Sequence, residues 1–418
     1  MTTLDLGAAR RPTPVVAPVA APAAARGVRD PRLDFYRGIA MIIILFAHTP
    51  GNLFTLWIPA RWGFSDATEI FVFCSGMASA IAFARSYDRS GWAVGTARVA
   101  YRVWQVYWAH IALFFAIAAM MAALNATGMF ERDYVGQLNL YPFFTRPAEQ
   151  ILGLFTLTYV PNYFDILPMY LVILCMMPLL MALSRIHVGL VFGAMAAMWL
   201  LAQQAWLEAL GLGALHLDLP AEPWSDRSWF FDPFGWQLVF FTGFALMRGW
   251  LPAPPVRTWL VVLAAAVVLA NVPLSNIGVR ELGLDWAREW RAENAALFDK
   301  SHFGILRYVQ FLALAYLAWV AAGAGGRRLI ADERTAAGRA WGLVVAVLMK
   351  VGQQSLAVFI FSMALARLLG FVLDQVGRGA LATTAVNLAG VALIVGVAYL
   401  VAWFKSEPWR GPAPGARA

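Results

Sequence analysis

Apolar runs close to the length of a membrane-spanning helix recur along nearly the whole of this 418-residue chain, and that leaves few folds open. Crossing a bilayer as a helix takes about 20 consecutive, mainly apolar residues. Such runs can be drawn at roughly 38–58, 67–86, 103–124, 166–184, 189–208, 235–250, 257–274, 303–322, 354–373 and 383–404. Lipid offers backbone N–H and C=O groups no partners, so each run is expected to satisfy itself as a helix. Composition agrees: 61% of the residues are hydrophobic and 13% charged, roughly half the charged share usual in soluble domains. The expectation is an all-α, polytopic membrane protein of about ten transmembrane helices. A membrane domain over 31–406 would follow a disordered Ala/Pro-rich tail at 1–30 and precede a short tail at 407–418, both tails cytoplasmic.

Charge placement orients the chain. Arg10, Arg11, Arg26, Arg29, Arg32 and Arg37 precede or open the first run; Arg85, Arg89, Arg98 and Arg102 separate the second from the third; Arg327, Arg328, Arg334 and Arg339 separate the eighth from the ninth. Placing these inside puts both termini in the cytoplasm and leaves most acidic residues outside. The net charge of +8 therefore reads as topology, and no nucleic-acid partner is expected. Cys74 and Cys175 lie within apolar runs, where a small buried hydrophobe is the natural reading. Three stretches depart from simple spans. Residues 125–165 form a long outer loop whose 148–161 part is apolar enough to lie on or dip into the membrane. A second outer segment, 271–302, is rich in charge and ends in Asp299-Lys300-Ser301-His302. The apolar run 341–373 is too long for one span, and Gly352-Gln353-Gln354 is expected to divide it into a surface or re-entrant piece and a true span.

The stretch from Arg32 to His48 concentrates the chemistry. Eleven helical steps of about 100° bring His48 to within about 20° of the face of Arg37, about 16 Å further along. That sets an imidazole near the midplane, where polar groups are costly. Thr49-Pro50-Gly51 should end the helix just beyond it and free carbonyls that need partners. His48 reads either as a core histidine bonded to a neighbouring helix or as a general base facing a cavity. Arg37 is a topological cation by default; the face it shares with His48 sets it apart.

Other candidates have ordinary explanations alongside functional ones. Glu69 is a helix cap or a group that orients a substrate hydroxyl. Ser75, with Gly76, is a close-packing residue or an oxyanion donor. Arg98 and Arg102, four apart, form a basic inner edge or a site for an anionic cytosolic ligand, since guanidinium forks suit phosphates. His110 is taken as packing before a second polar wall. Aromatics such as Trp57, Trp62, Tyr134, Tyr159, Tyr163, Trp224, Trp229, Trp236, Trp286 and Trp290 suit an interfacial belt or sugar stacking. The five histidines, His48, His110, His187, His216 and His302, are scattered and show no metal-ligand spacing, so no metal is expected.

Several of these residues form patterns. Arg32-x-Asp34-x-x-Arg37-Gly38-Ile39-Ala40 followed by His48 resembles the opening motif of the integral-membrane O-acyltransferase superfamily. Glu69-Ile-Phe-Val-Phe-x-Ser75-Gly76 is similar to its second-helix signature, and Arg98-x-x-x-Arg102 to its basic third motif. Asp165-Ile-Leu-Pro-Met-Tyr170, the stretch from Lys300 to Arg307 and Gly352-x-x-Ser355-Leu356 resemble the OpgC-type branch, which modifies osmoregulated periplasmic glucans. The resemblance spans about 31–406. It departs in the ninth run, where many relatives carry a histidine and this chain reads Phe359-Ile-Phe-Ser362.

The resemblance implies a bacterial inner-membrane enzyme with no tightly bound cofactor. It would take acyl-CoA, as succinyl-CoA or acetyl-CoA, from the cytosol and acylate a glucan or other carbohydrate outside. On that analogy His48, with Arg37 as its motif partner, is catalytic, and Glu69 and Ser75 assist. Arg37, Arg98 and Arg102 would hold the donor's phosphates. Asp165, His302, Arg307 and Lys350 would meet the acceptor or the acyl carboxylate, for which Arg367 is a further cation. A homo-oligomer is left open. The rival readings are a transporter or flippase for an amphiphile and an inactive subunit of a glucan-export complex; the paired broken helices typical of transporters are missing.

Overall fold

The computed structural model describes residues 30–410. The expected tails therefore fall largely outside the described residues: only Asp30 of the first is described, and of the second only residues 407–410, which include a short 3-10 turn at Pro408–Arg410. Among the described residues the chain is helical, with no strand beyond an isolated bridge between Pro220 and Ser228. The longer helices are α1 (Arg32–His48), α2 (Ala67–Ser79), α3 (Arg85–Ala126), α4 (Pro147–Thr156), α5 (Ile166–Ile186), α6 (Val188–Leu201), α7 (Pro233–Arg248), α8 (Thr258–Ala270), α9 (Ile305–Ala322), α10 (Ala336–Gln353), α11 (Ser355–Val376) and α12 (Ala380–Lys405).

Among the described residues, five helical stretches are long and apolar enough to cross a membrane. The apolar runs overstate helix length elsewhere. Helices α1, α6, α7 and α8 have 17, 14, 16 and 13 residues; at 1.5 Å per residue these reach about 20–26 Å, short of a hydrocarbon core of about 30 Å. The second and third runs belong to one helical stretch from Ala67 to Ala126, carried through a π-helical turn at Ala80–Ala84. Its break comes at Gly91, whose φ of +81° no other residue adopts cheaply.

The end of α1 is as its sequence dictates. The helix stops at His48, and Thr49 caps it in an extended conformation. Three carbonyls around the break find side-chain donors: Leu45 O takes the Thr49 hydroxyl at 2.8 Å, Phe46 O the Asn52 amide at 3.2 Å, and Pro50 O the Arg378 guanidinium. Asn52 and Asn387 of α12 exchange two 2.8 Å bonds, tying this turn to the last helix. An unpaired carbonyl in lipid would cost several kcal/mol, so the break is paid for by its neighbours.

Small residues bring two helix pairs together. A Cβ added at Gly38 of α1 would strike the Leu348 carbonyl of α10, and one at Gly352 the carbonyl of Asp34. A side chain at Gly76 of α2 would likewise strike the Phe240 carbonyl of α7. The long run 341–373 does divide at Gln354, and α10 lies along α1 with Phe35, Val345, Ala322 and Leu329 buried between. The main core collects Trp236, Phe240 and Phe244 of α7, Phe114 of α3, and Met177 of α5. Of the outer aromatics, Tyr134, Tyr159, Trp229 and Trp236 are core residues, whereas Trp57, Trp62, Trp224 and Trp286 are exposed. In the 125–165 loop, α4 buries Gln150, Gly153 and Leu154 and leaves Ile151, Leu152 and Phe155 outward.

Candidate functional site

Helix ends converge around His48. The last turn of α1, the N-cap of α2, the N-cap of α5, the Phe230-Phe231 approach to α7, the turn at Lys300 and the middle of α11 enclose a cavity of about 390 Å³. Its polar lining is His48, Asp66, Thr68, Asp165, Lys300 and the Tyr163 ring edge; Ile43, Ile44, Phe71, Phe230, Phe359 and Met363 make apolar walls.

The histidine's tautomer follows from its partner. Nδ1 lies 2.9 Å from the Ile44 carbonyl, which only accepts, so Nδ1 carries the proton and donates. Nε2 is left as a lone pair. Tyr163 stands edge-on to the imidazole, 5.4 Å between centroids. Its backbone has φ of +89°, a conformation that costs a non-glycine residue about 1–3 kcal/mol. Two contacts hold it: its hydroxyl donates to Met363 O at 2.7 Å, and the Arg367 guanidinium lies 4.0 Å over its ring.

On the opposite wall, charges form a chain. Lys300 pairs with Asp66. Asp66 caps α2 by accepting from the Thr68 amide at 2.6 Å, and Glu69 Oε2 in turn accepts from the Asp66 amide at 2.7 Å, completing a capping box. Glu69 Oε1 accepts from Arg307 Nη1 at 2.6 Å, both side chains buried. Asp66 and Asp165 stand at helix N-caps, outside the spanning segments. Burial opposes the Asp66 charge, yet Lys300 and Arg307 hold its carboxyl below the usual carboxylate range. Burial pushes Asp165 up to about 6, against the Phe230 amide that donates to it at 3.3 Å.

The residues singled out in the sequence separate into groups. His48 and Asp165 line the cavity together. Glu69 and Arg307 do not; they are spent on each other and on the cap. Ser75 is buried in α2 beside the close crossing at Gly76 and does not line the cavity. Arg37, near the other end of α1, donates to the Ser355 hydroxyl where α11 begins. Lys350 lies 5.6 Å from the Tyr399 ring centroid, on α10. His302 lies outside the cavity, with Nδ1 2.9 Å from Asp299. His110 is fully buried in α3, and neither ring nitrogen has a hydrogen-bond partner among the described residues.

Arg98 lines a second cavity of about 400 Å³, where it donates to the Ser86 hydroxyl at 2.6 Å. Arg85, Arg89 and Ser90 complete its polar lining. Arg102 stands apart from it, bonded to Gln105 at 3.2 Å. Lys300 and Thr68 at the first cavity, and Arg85 and Arg89 at the second, were not legible in the sequence as site residues, whereas Tyr163 was one of the aromatics suited to sugar stacking. One signal was present: the Asp66-Ala-Thr-Glu69 spacing is that of a capping box, which fixes Asp66 at a helix mouth.

A family model described as OpgC protein matches residues 29–406 of this chain. No curated protein and no solved structure matches it.

Proposed function

The chain belongs to the OpgC family, and from that premise we propose that it is a membrane O-acyltransferase that moves an acyl group, succinyl in the first instance, from cytosolic acyl-CoA onto hydroxyls of an extracytoplasmic glucan. In this reading ten helices pack in the inner membrane with both termini in the cytoplasm. The observation that carries the proposal is the placement of His48: its Nδ1 faces the Ile44 carbonyl, which leaves Nε2 as the acceptor of a neutral ring, and it lines a cavity that also holds Lys300.

A sugar hydroxyl enters the cavity and gives its proton to His48 Nε2 as its oxygen attacks the thioester carbonyl. The C–O bond forms, the tetrahedral oxyanion collapses, and the C–S bond breaks. The imidazolium returns the proton to the departing sulfur, so a sugar ester and free CoA thiol leave. A positioned base of this kind contributes about 10²–10⁴-fold. Lys300 and the Thr68 hydroxyl line the same cavity and suit the oxyanion, in place of Ser75. A succinyl carboxylate would find its cation in Arg367 beyond Tyr163, since Arg307 is paired with Glu69 and Lys300 with Asp66. Asp165 and the Phe230, Phe231 and Tyr163 rings suit a sugar, which stacks its C–H face and hydrogen-bonds its hydroxyls. Arg85, Arg89 and Arg98 suit the donor's phosphates.

The test is the purified full chain with labelled succinyl-CoA, labelled acetyl-CoA and a periplasmic-type glucan. Label recovered as an ester on the sugar supports the proposal and identifies the acyl group. No ester, with movement of label or glucan across vesicles containing the protein, would replace it with transport.

A further inference from the structure

Three residues that lie far apart in the sequence meet beside the first cavity but outside it. His216, Asp232 and His302 each present one ligand-type atom, and these atoms all lie within 4.8 Å of one another. Asp232 is 1% exposed. Its Oδ1 caps α7 by accepting from the Phe234 amide at 2.9 Å, while Oδ2 is buried with no hydrogen-bond partner among the described residues. His216 Nε2 is likewise buried without a partner among them. Both imidazoles have a carboxylate on the Nδ1 side: Asp299 is 2.9 Å from His302 Nδ1, and Asp218 is 4.0 Å from His216 Nδ1. The rings stand edge to face, 5.3 Å between centroids.

We infer that His216, Asp232 and His302 bind a divalent transition-metal ion of the zinc class, and that this ion ties the 216–232 loop to the segment carrying Lys300. Two imidazole nitrogens and one carboxylate oxygen are a donor set for zinc or its neighbours; calcium and magnesium take oxygen ligands instead. The Asp299 carboxylate behind His302 fixes Nδ1 as the protonated nitrogen and turns Nε2 toward the ion, the usual arrangement around metal-ligating histidines, and Asp218 stands on the same side of His216 at 4.0 Å. Zn–N and Zn–O bonds of about 2.0–2.2 Å place tetrahedral ligand atoms about 3.3 Å apart, so side-chain rotations of about 1 Å close the site. Three protein ligands leave a fourth position for water.

The location gives the ion a task. The chain from Lys300 to Phe303 is already gripped through its carbonyls. Ser301 O accepts from the Asp232 amide at 3.0 Å, Lys300 O from Trp236 Nε1 at 2.9 Å, His302 O from Gln203 at 2.8 Å, and Phe303 O from Trp199 Nε1 at 2.9 Å. Phe303 is held at φ of +59°. An ion on His302 and Asp232 would lock this turn from the side-chain direction, two residues from the ammonium that enters the cavity. The inference stands without the acyl-transfer reading, because metal binding is measured directly.

The experiment uses the full chain in detergent, stripped with a chelator and desalted. Cobalt(II) is titrated for its visible d–d absorption, and zinc is titrated against a chromophoric chelator. The expected result is saturable binding of about one ion per chain, with zinc displacing cobalt and raising the thermal midpoint. Asp232→Asn keeps the cap acceptor but removes the ligand charge, and His216→Ala alters a loop side chain; each should abolish stoichiometric binding. Asp299→Asn, which removes the supporting charge and keeps an oxygen able to accept the His302 amide, should weaken binding about 10–100-fold. His187→Ala, a helix-cap histidine elsewhere, should leave it unchanged. Size exclusion and circular dichroism establish that each variant is folded. Should the ligand variants not fold, the wild-type titration decides alone. Wild-type protein without a cobalt spectrum, or folded ligand variants that bind as well as wild type, would overturn the inference and leave a proton-sharing network of histidines and carboxylates.

Discussion

Around His48 the fixed charges come in opposed pairs, Lys300 with Asp66 and Arg307 with Glu69, set among Phe71, Phe230, Phe359 and Met363. The second cavity is lined instead by Arg85, Arg89 and Arg98 with two serines, and no carboxylate is among its lining residues. The first arrangement pairs its charges and so keeps the net field at the imidazole low, with Lys300 facing the same cavity. The second collects negative charge. On the proposed reading, chemistry and anchoring are divided between two places, and each can be disturbed without the other.

The largest disturbance to the first region should come from its buried ion pair. Glu69→Ala leaves Arg307 buried and uncompensated and opens the cap of α2, and is expected to cost about 3–5 kcal/mol of stability; thermal unfolding in detergent measures it. Next is Lys300→Met, which keeps length but removes the ammonium. It should lower kcat about 10²-fold, and Lys300→Arg should restore part of it in steady-state turnover. In the second region, Arg85→Ala, Arg89→Ala and Arg98→Ala should each raise the donor KM about tenfold with little change in kcat. Added salt should weaken donor binding in the wild type more than in the variants. The smallest effect is expected at His110, buried without hydrogen bonds among the described residues. His110→Leu should leave turnover unchanged and shift stability by no more than about 1 kcal/mol, which separates a packed histidine from one that faces a cavity.

Much of this division was readable in the sequence where the cause is local. Pro50-Gly51 ends α1 at His48 because a proline cannot continue the ladder, and Asp66-x-x-Glu69 caps α2 by its spacing. Local legibility also misled. Glu69 looked available for catalysis because its partner, Arg307, is 238 residues away. Apolar runs counted residues such as Leu53–Trp57, which continue the hydrophobicity after the helix has ended in a 3-10 turn. Lys300 was one loop cation among several; what turns it into the cavity is the grip of Trp236, Gln203 and the Asp232 amide, which only the fold brings there. Arg85 and Arg89 face Arg98 because the chain turns back at Gly91, while Arg102 lies one helical turn further on.

The central claim is that acyl transfer occurs at His48 while the donor is anchored elsewhere. It is tested most directly by measuring CoA affinity and succinyl transfer side by side in wild-type and His48→Ala protein. The account predicts transfer reduced about 10²–10⁴-fold with CoA affinity unchanged. Transfer at the wild-type rate in folded His48→Ala protein would contradict it.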